Sequence, residues 1–198
     1  STAIGVLRTI DIYGEENVDY IYPQRDMGHG ISGMINESDL EFEELINSNI
    51  EKIKKSDLII IVDSSSNDID GIKKLKEIKP DIDIIILDHH EFNDLETEKT
   101  MSKLVDVVNP QHSKDEYPNK HLSGAGVVYK FCKAVDDLIG DDVSDKYLDL
   151  VDVGLIGDMM NVLDLENRYY ISKGLQDVHN VGLSRILKGA KVNLYKYN

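Results

Sequence analysis

The stretch "DIDIIILDHHE" (residues 81–91) carries the strongest fold signal in the sequence. An uninterrupted apolar run, Ile84 to Leu87, ends at one aspartate and two histidines. A second run, "DLIIIVD" (57–63), has the same form and ends at Asp63. Consecutive apolar residues are typical of strands that are covered on both faces, as in a parallel sheet with crossover helices. We therefore predict an α/β fold with a mostly parallel sheet flanked by helices.

The periodicity of apolar residues places further elements around these two strands. It predicts strands at 18–23 and 104–110, and helices at 2–13, 37–56, 68–80, 125–139, 143–157 and 167–188. Ser38 or Asp39 is the expected cap of the second helix. The C-terminal third is thus more helical than the rest, and we predict that residues 1–198 form one domain.

The composition limits the classes of function. The chain has 198 residues, of which 37 are acidic and 22 basic, and its formal net charge is −15. No apolar run approaches the roughly 18 residues of a membrane helix, and the first residues lack the features of a secretory signal. With a single cysteine, Cys132, this predicts a cytoplasmic protein without a membrane partner. If the substrate is a phosphodiester, divalent metals must supply the positive charge.

Polar residues that follow the apolar runs are the candidate site. Ligands of parallel α/β sheets bind beyond the carboxyl ends of the strands, where Asp63 and residues 88–90 lie. A third carboxylate, Asp158, is flanked by Ile156 and Met159, and a charge in apolar surroundings needs a partner. Carboxylates with a neutral imidazole suit Mn²⁺ or Mg²⁺. These residue types therefore predict a divalent-metal site.

Each of these signals also has a purely structural explanation. Asp63 could cap the turn that follows its strand, and Asp158 could pair with Arg168. Gly124 and Gly126 begin a predicted helix whose N-terminus could bind phosphate, or they could serve tight helix packing. Three further histidines have no supporting pattern and are expected to be ordinary loop or surface residues: His112, His121 and His179.

Several motifs in this order resemble the DHH phosphoesterase superfamily, and in particular its RecJ-like single-strand exonucleases. They are "YIYPQRDMGHGIS" (20–32), "DLIIIVDSS" (57–65), "IIILDHHE" (84–91), "VVNPQ" (107–111), "YPNKHLSGAGVVYKF" (117–131) and "DLVDVGLIGDMMNVLDLENR" (149–168). The final "GLQDVHNVGLSRILKGAKVN" (174–193) is also similar. The resemblance covers nearly the whole chain.

The resemblance implies a two-metal phosphodiesterase that usually uses manganese. Its motifs assign Asp63, His89 and Asp158 as metal ligands, with Asp63 bridging the two ions. His90 would face the scissile phosphate as a catalytic residue, and Asp88 would act with it by orienting a neighbouring histidine. The implied substrate-binding residues are Arg25, His29, Gly124, Ala125 and Gly126.

One departure from the family pattern sets an expectation about the extent of the chain. The family carries paired aspartates on a first strand just before the segment that matches "STAIG" (1–5), and it carries a C-terminal DHH-associated domain. Neither is in this sequence. We therefore expect residues 1–198 to be a piece of a longer protein that binds metals weakly and is nearly inactive alone.

The function implied by the resemblance is 5′ to 3′ exonuclease action on single-stranded DNA in repair and recombination. The expected partners are single-stranded DNA and, further, a single-strand-binding protein or replication and repair proteins. One alternative is a DHH enzyme for short oligonucleotides, cyclic dinucleotides or adenosine bisphosphate, which the net charge favours. Another is a degenerate DHH domain that acts as a non-catalytic scaffold.

Overall fold

A three-stranded parallel sheet forms the centre of the computed structural model, which describes residues 1–23, 27–28, 30–36 and 39–191. The strands are β1 (Leu58–Val62), β2 (Asp83–Leu87) and β3 (Asp106–Val108), in the order β1-β2-β3. Ile60 of β1 pairs with Ile85 of β2, and Ile86 pairs with Val107 of β3. The predicted α/β fold with a parallel sheet is confirmed.

Helices account for most of the other described residues. They are α1 (Thr2–Tyr13), α2 (Ile31–Met34), α3 (Glu43–Lys55), α4 (Ile69–Ile78), α5 (Leu95–Leu104), α6 (Gly124–Ile139), α7 (Leu148–Gly157), α8 (Leu165–Gln176) and α9 (Val181–Gly189). Within the described ranges, no helix combines the length and the apolar character needed to cross a bilayer.

Apolar layers cover both faces of the sheet, which explains why its strands are apolar at successive positions. Ile60, Val62 and Leu87 point to a cluster formed with α1, α6, α7 and α8. Ile61 and Ile86 point to the opposite cluster, formed with α2, α4 and α5. Because successive side chains of a strand point to opposite faces, a strand buried on both faces needs apolar residues throughout.

The largest differences between the predicted elements and the structure are at 18–23 and 167–188. Residues 18–23 form no strand: Tyr20 and Tyr22 are largely exposed, whereas Ile21 between them packs on the core. The predicted helix over 167–188 is two helices, because the chain leaves helical geometry after α8 and Asn180 caps α9 by accepting from the Leu183 amide.

Two other helices also begin differently from the prediction. Helix α5 was not predicted, although Asp94 caps it by accepting a hydrogen bond from the Thr97 amide. The helix expected over 37–56 begins as a short 3₁₀ turn, which Asp39 caps through the Glu41 amide, before α3 proper. The other suggested cap, Ser38, lies outside the described residues.

A pair of buried carboxylates lies on α7. Asp149 and Asp152 are 1% and 4% exposed, and one oxygen of each has no hydrogen-bond partner among the described residues. The other Asp149 oxygen accepts a hydrogen bond from the Asn180 amide at 2.6 Å, which fastens the start of α9 to α7. Burial, with the neighbouring Asp149 charge, raises the pKa of Asp152 to about 6.

This raised pKa predicts a pH-dependent loss of stability. Between the ordinary value of 3.8 and about 6 the folded chain binds more protons at Asp152 than the unfolded chain, so stability falls as pH rises through this range. Asp152→Asn removes the charge and should raise the free energy of unfolding at pH 7.5 by about 1–3 kcal/mol. The gain should shrink towards zero near pH 4, measured by urea denaturation.

The matched control is Asp137→Asn, at an exposed position on α6. It should change stability by less than about 0.5 kcal/mol at either pH. A gain for Asp152→Asn that is equal at both pH values would contradict a buried charge as its cause.

Candidate metal centre

Three polar residues end the three strands at the same edge of the sheet. Asp63 follows β1, Asp88 follows β2 and Asn109 follows β3. Asp63 has a left-handed backbone with φ of 63°, and its amide continues the ladder by donating to the Leu87 carbonyl at 2.8 Å. Left-handed geometry is strained for a residue with a side chain, and such strain concentrates at functional sites.

Four side chains converge at this edge. Asp63, His89 and His90 each offer a ligand atom, and these atoms lie within 4.8 Å of one another. The His89 Nε2 atom is 3.2 Å from Asp63 Oδ1 and 3.7 Å from Asp158 Oδ2. The structure thus brings together the three residues that the sequence nominated as metal ligands, and it places His90 in the same group.

The charges of this cluster shift the pKa values of its members. Burial alone would lower the pKa of His89, but the hydrogen bond to Asp63 and the charges of Asp63, Asp158 and Asp88 outweigh it, and the pKa is raised. Burial would raise the pKa of Asp63, yet the hydrogen bonds from His89 and Ser1 lower it. The cluster therefore favours the charged forms of both Asp63 and His89.

Asp88 is buried and organises the loop rather than facing the cluster. Its Oδ1 atom accepts from the ring Nδ1 of His90 at 2.7 Å and from the His89 amide at 2.8 Å. Its Oδ2 atom accepts from the Ser66 amide at 3.1 Å. Burial would raise the pKa of Asp88, but these hydrogen bonds lower it. The ring that Asp88 orients is therefore that of His90.

Asp158 comes directly after α7 and lies against His89. Met159, the next residue, has a left-handed backbone with φ of 54°, so the chain turns sharply where it presents the carboxylate. Among the described residues, Asp158 forms no ion pair with Arg168, which is exposed. Nor does any lysine or arginine in those ranges pair with Asp63.

The start of α6 touches Asp63. A Cβ atom added to Gly124 would lie 2.0 Å from Asp63 Oδ1, and one added to Gly154 of α7 would lie 2.5 Å from the Ala125 Cβ. Glycine at 124 therefore permits the carboxylate to approach the helix. The Gly126 amide already donates to the Ser123 side chain at 3.2 Å, so this N–H does not point to a ligand.

Buried amides connect the loops around the cluster, and sequence reasoning missed them. Asn109 donates to Ser66 Oγ at 3.0 Å and to the His90 carbonyl at 2.9 Å. Asn167, fully buried, donates to the carbonyls of His121 and Asn161 at 2.8 and 3.0 Å. The position of Asn109 directly after a predicted strand was the available signal. No local pattern indicated the role of Asn167.

An open cavity of about 610 Å³ adjoins His90. The serines and Asn67 that follow Asp63 line it, together with Ser32 and Asp68. Arg25 and His29, nominated as substrate contacts, lie outside the described residues. The cavity is within the size range of small-molecule sites.

The donor set fits a divalent cation that prefers oxygen and imidazole ligands. Asp63 and Asp158 bring two carboxylates to one place, and a single imidazole lies between them. Such a charge excess is costly unless a cation compensates it. Carboxylate oxygen and histidine nitrogen are ligands that suit Mn²⁺ and Mg²⁺.

Fold and site together define an α/β protein with a cluster of carboxylates and imidazoles, a candidate metal centre, at the carboxyl edge of its parallel sheet. The family profile described as "DHH family, N-terminal domain" matches residues 1–155. The chain therefore belongs to the DHH family, as its motifs predicted.

Named relatives are similar over most of this chain. A Bacillus subtilis protein named as a prophage-derived single-strand DNA-specific exonuclease, YorK, is 36% identical over 132 residues, which are 67% of this chain and 21% of YorK. The single-stranded-DNA-specific exonuclease RecJ of Bacillus subtilis is 29% identical over 198 residues, which are 94% of this chain and 24% of RecJ.

A solved structure shares the fold. The crystal structure of exonuclease RecJ bound to manganese matches with a TM-score of 0.63 and 25% identity, over 88% of this chain and 39% of that one. The chain spans about a quarter of the length of the curated relatives it matches.

The Gly124 contact predicts a specific effect of a single methyl group. Gly124→Ala should displace the Asp63 carboxylate and lower stability by about 1–3 kcal/mol, the usual cost of overpacking. Because the bond to Asp63 opposes the effect of burial on His89, the pKa of His89 should fall in this variant. NMR titration of the His89 ring and urea denaturation measure the two effects.

Gly189→Ala is the matched control, because a Cβ atom at the end of α9 meets nothing within 4 Å. It should leave the pKa of His89 unchanged. An unchanged His89 titration in Gly124→Ala would show that the helix start does not set the position of Asp63.

Proposed function

We propose that this chain carries the metal-dependent catalytic site of a RecJ-like phosphodiesterase that hydrolyses single-stranded DNA from its 5′ end. The observation that carries this proposal is the convergence of Asp63, His89 and Asp158 at one sheet edge, with His90 beside them. The DHH family match and the exonuclease names of YorK and RecJ support the reaction class.

In this proposal Asp63, His89 and Asp158 hold Mn²⁺ or Mg²⁺. The bound cations supply positive charge that neutralises the phosphodiester and that favours ionisation of an attacking water. The manganese in the RecJ crystal structure supports the choice of metal. Without a cation the two carboxylates would repel the substrate, because the site holds no lysine or arginine partner for them among the described residues.

His90 and Asp88 act together on the phosphate. We place the doubly protonated His90 ring beside a non-bridging oxygen of the scissile phosphate, where Nε2–H donates a hydrogen bond that stabilises the charge developing in the transition state. The 2.7 Å bond from Nδ1 to the buried Asp88 fixes the ring in that orientation before substrate arrives. Asp88 is thus a positioning residue. Gly124 and Ala125 lie at the start of α6, whose positive dipole end favours an anion nearby.

We further propose that a longer protein contains an additional strand beside β1. Carboxylates on that strand would complete the metal centre. Support comes from the outer edge of β1, which has no strand partner among the described residues, and from a length about a quarter of that of the relatives. Residues 1–198 should therefore bind Mn²⁺ more weakly than the longer protein and hydrolyse DNA poorly alone.

Short oligonucleotides are the second candidate substrate. The formal net charge of −15 disfavours a long polyanion, and the cavity of about 610 Å³ beside His90 has the volume of a nucleotide site. Cyclic dinucleotides belong to the same class. A long strand and a dinucleotide contact different amounts of protein surface, so a comparison of their hydrolysis rates distinguishes the two proposals.

The metal proposal predicts that single substitutions at the centre weaken Mn²⁺ binding. Asp63→Asn and His89→Gln should each reduce the affinity at least about tenfold, because each removes a direct ligand. Isothermal titration calorimetry of residues 1–198 with Mn²⁺ measures this, and thermal unfolding checks that the fold is retained. Asp137→Asn and His179→Gln are the controls at exposed positions. Unchanged affinity in both site variants would exclude this centre.

The substrate proposal predicts a preference for length. In the longer protein with Mn²⁺, a 5′-labelled single strand should be shortened stepwise from its labelled end, faster than a dinucleotide is cleaved. The reverse preference would favour the short-substrate enzyme. Metal binding without hydrolysis of either substrate would favour the non-catalytic scaffold.

A further inference from the structure

His121 and Asp164 form a hydrogen-bonded pair between the loop that precedes α6 and the loop that precedes α8. The His121 Nδ1 atom lies 2.6 Å from Asp164 Oδ2, across 43 residues of sequence. Because an ionised carboxylate only accepts hydrogen bonds, Nδ1 is the donor in this pair. Nε2 is then the ring atom that can meet a ligand, and it has no hydrogen-bond partner among the described residues.

The two residues belong to the loops that supply the centre. His121 lies three residues before Gly124, where an added Cβ atom would lie 2.0 Å from Asp63 Oδ1. The Cα atom of His121 is therefore at most about 11 Å from that of Gly124. Asp164 lies at the end of the loop that begins at Asp158. The pair therefore connects the loop that leads to Gly124 with the loop that begins at Asp158.

Buried amides hold the backbone of His121 from both sides. Its amide donates to Asn119 Oδ1 at 2.9 Å, and its carbonyl accepts from Asn167 Nδ2 at 2.8 Å. Asn119 and Asn167 also bond to each other at 2.9 Å. Glu166 extends this network, because it accepts from Asn119 at 3.0 Å and from the hydroxyl of Tyr170 at 2.6 Å.

Stability alone does not account for this arrangement. The His121 side chain is 55% exposed, and an exposed ion pair contributes little to the free energy of folding. Nevertheless its backbone and its ring are fixed by three separate partners. A side chain that is exposed and yet fixed in orientation is what a binding site requires, because little entropy is lost when the ligand arrives.

We propose that His121 binds a phosphate oxygen of the substrate through Nε2, next to the phosphate that His90 contacts. Asp164, Asn119 and Asn167 are its positioning residues. This assignment rests on the proposed function, because it takes the substrate to be a phosphodiester at the same edge of the sheet. The doubly protonated form of the ring makes this contact, because Nδ1–H then stays on Asp164 while Nε2–H donates a directed hydrogen bond to the anion. Such a donor suits an acidic chain in which few basic side chains are available.

The test uses a 5′-phosphorylated thymidine dinucleotide as the probe, with Mg²⁺ present, and residues 1–198 as the protein. His121→Ala should weaken binding about tenfold, the usual value of one hydrogen bond to a charged group. Asp164→Asn should weaken it less, because the ring remains but is no longer fixed. In the wild type, the NMR signals of the His121 ring should shift as the dinucleotide is added.

His179 provides a matched control. It also forms an exposed histidine–aspartate pair, with Asp177 at 3.1 Å, and its side chain is 51% exposed. It lies beside Asn180, which bonds to Asp149 in the first turn of α7, whereas Asp158 follows the last turn. His179→Ala should therefore bind the dinucleotide like the wild type.

Two measurements distinguish failure of this inference from failure of the proposed function. Mn²⁺ affinity should be the same in His121→Ala as in the wild type, because His121 is no metal ligand. Wild-type dinucleotide affinity in His121→Ala, with Mn²⁺ affinity intact, overturns the role of His121 alone. Mn²⁺ affinity that Asp63→Asn and His89→Gln leave unchanged overturns the proposed function instead. An equal loss of dinucleotide affinity in His179→Ala also overturns the assignment, since it shows a general effect of charge.

Discussion

The buried carboxylate of Asp88 is the interaction on which the arrangement of the site depends. It is 1% exposed and accepts four hydrogen bonds, from the Ser66 amide, the His89 and His90 amides and the His90 ring. Such a charge is stable in a protein interior only when its oxygens are satisfied. The four donors belong to the turns that follow β1 and β2. Asp88 therefore fixes the two strand ends relative to each other, and with them the separation of Asp63 and His89.

The sequence predicted those features of the structure that depend on neighbouring residues along the chain. Apolar runs predicted β1 and β2, because a strand covered on both faces has to be apolar at every position. Because the carboxyl ends of parallel strands meet at one edge of the sheet, the sequence also predicted that Asp63 and His89 lie close together. Predicting the position of Asp158 also required the family motif, since nothing in its own segment indicates which strand end it approaches. The roles of these residues at a metal remain predictions.

Other features depend on contacts between distant residues, and the sequence could not predict them. Residues 18–23 were predicted as a strand, but in the part of the chain that the structure describes no neighbouring strand or apolar layer covers Tyr20 and Tyr22. His121 was interpreted as an ordinary surface residue because its significance arises from Asp164, 43 positions later. Asn167 likewise shows its role only when the loops that it joins are in place.

The acidic charge of the chain constrains how the proposed centre would bind nucleic acid. Nucleases that attract DNA through a basic surface lose affinity steeply as salt rises, because binding releases counterions. A chain with a formal net charge of −15 has no such overall attraction. Under the proposed function, binding has to come from short-range groups. These are the cations assigned to Asp63, His89 and Asp158, the hydrogen bonds assigned to His90 and His121, and the start of α6. These groups act over a few ångströms, and so they recognise the individual phosphates at a strand end better than the overall charge of a long polymer. An exonuclease needs selectivity of this kind, because its site must accept an end and exclude the continuous strand.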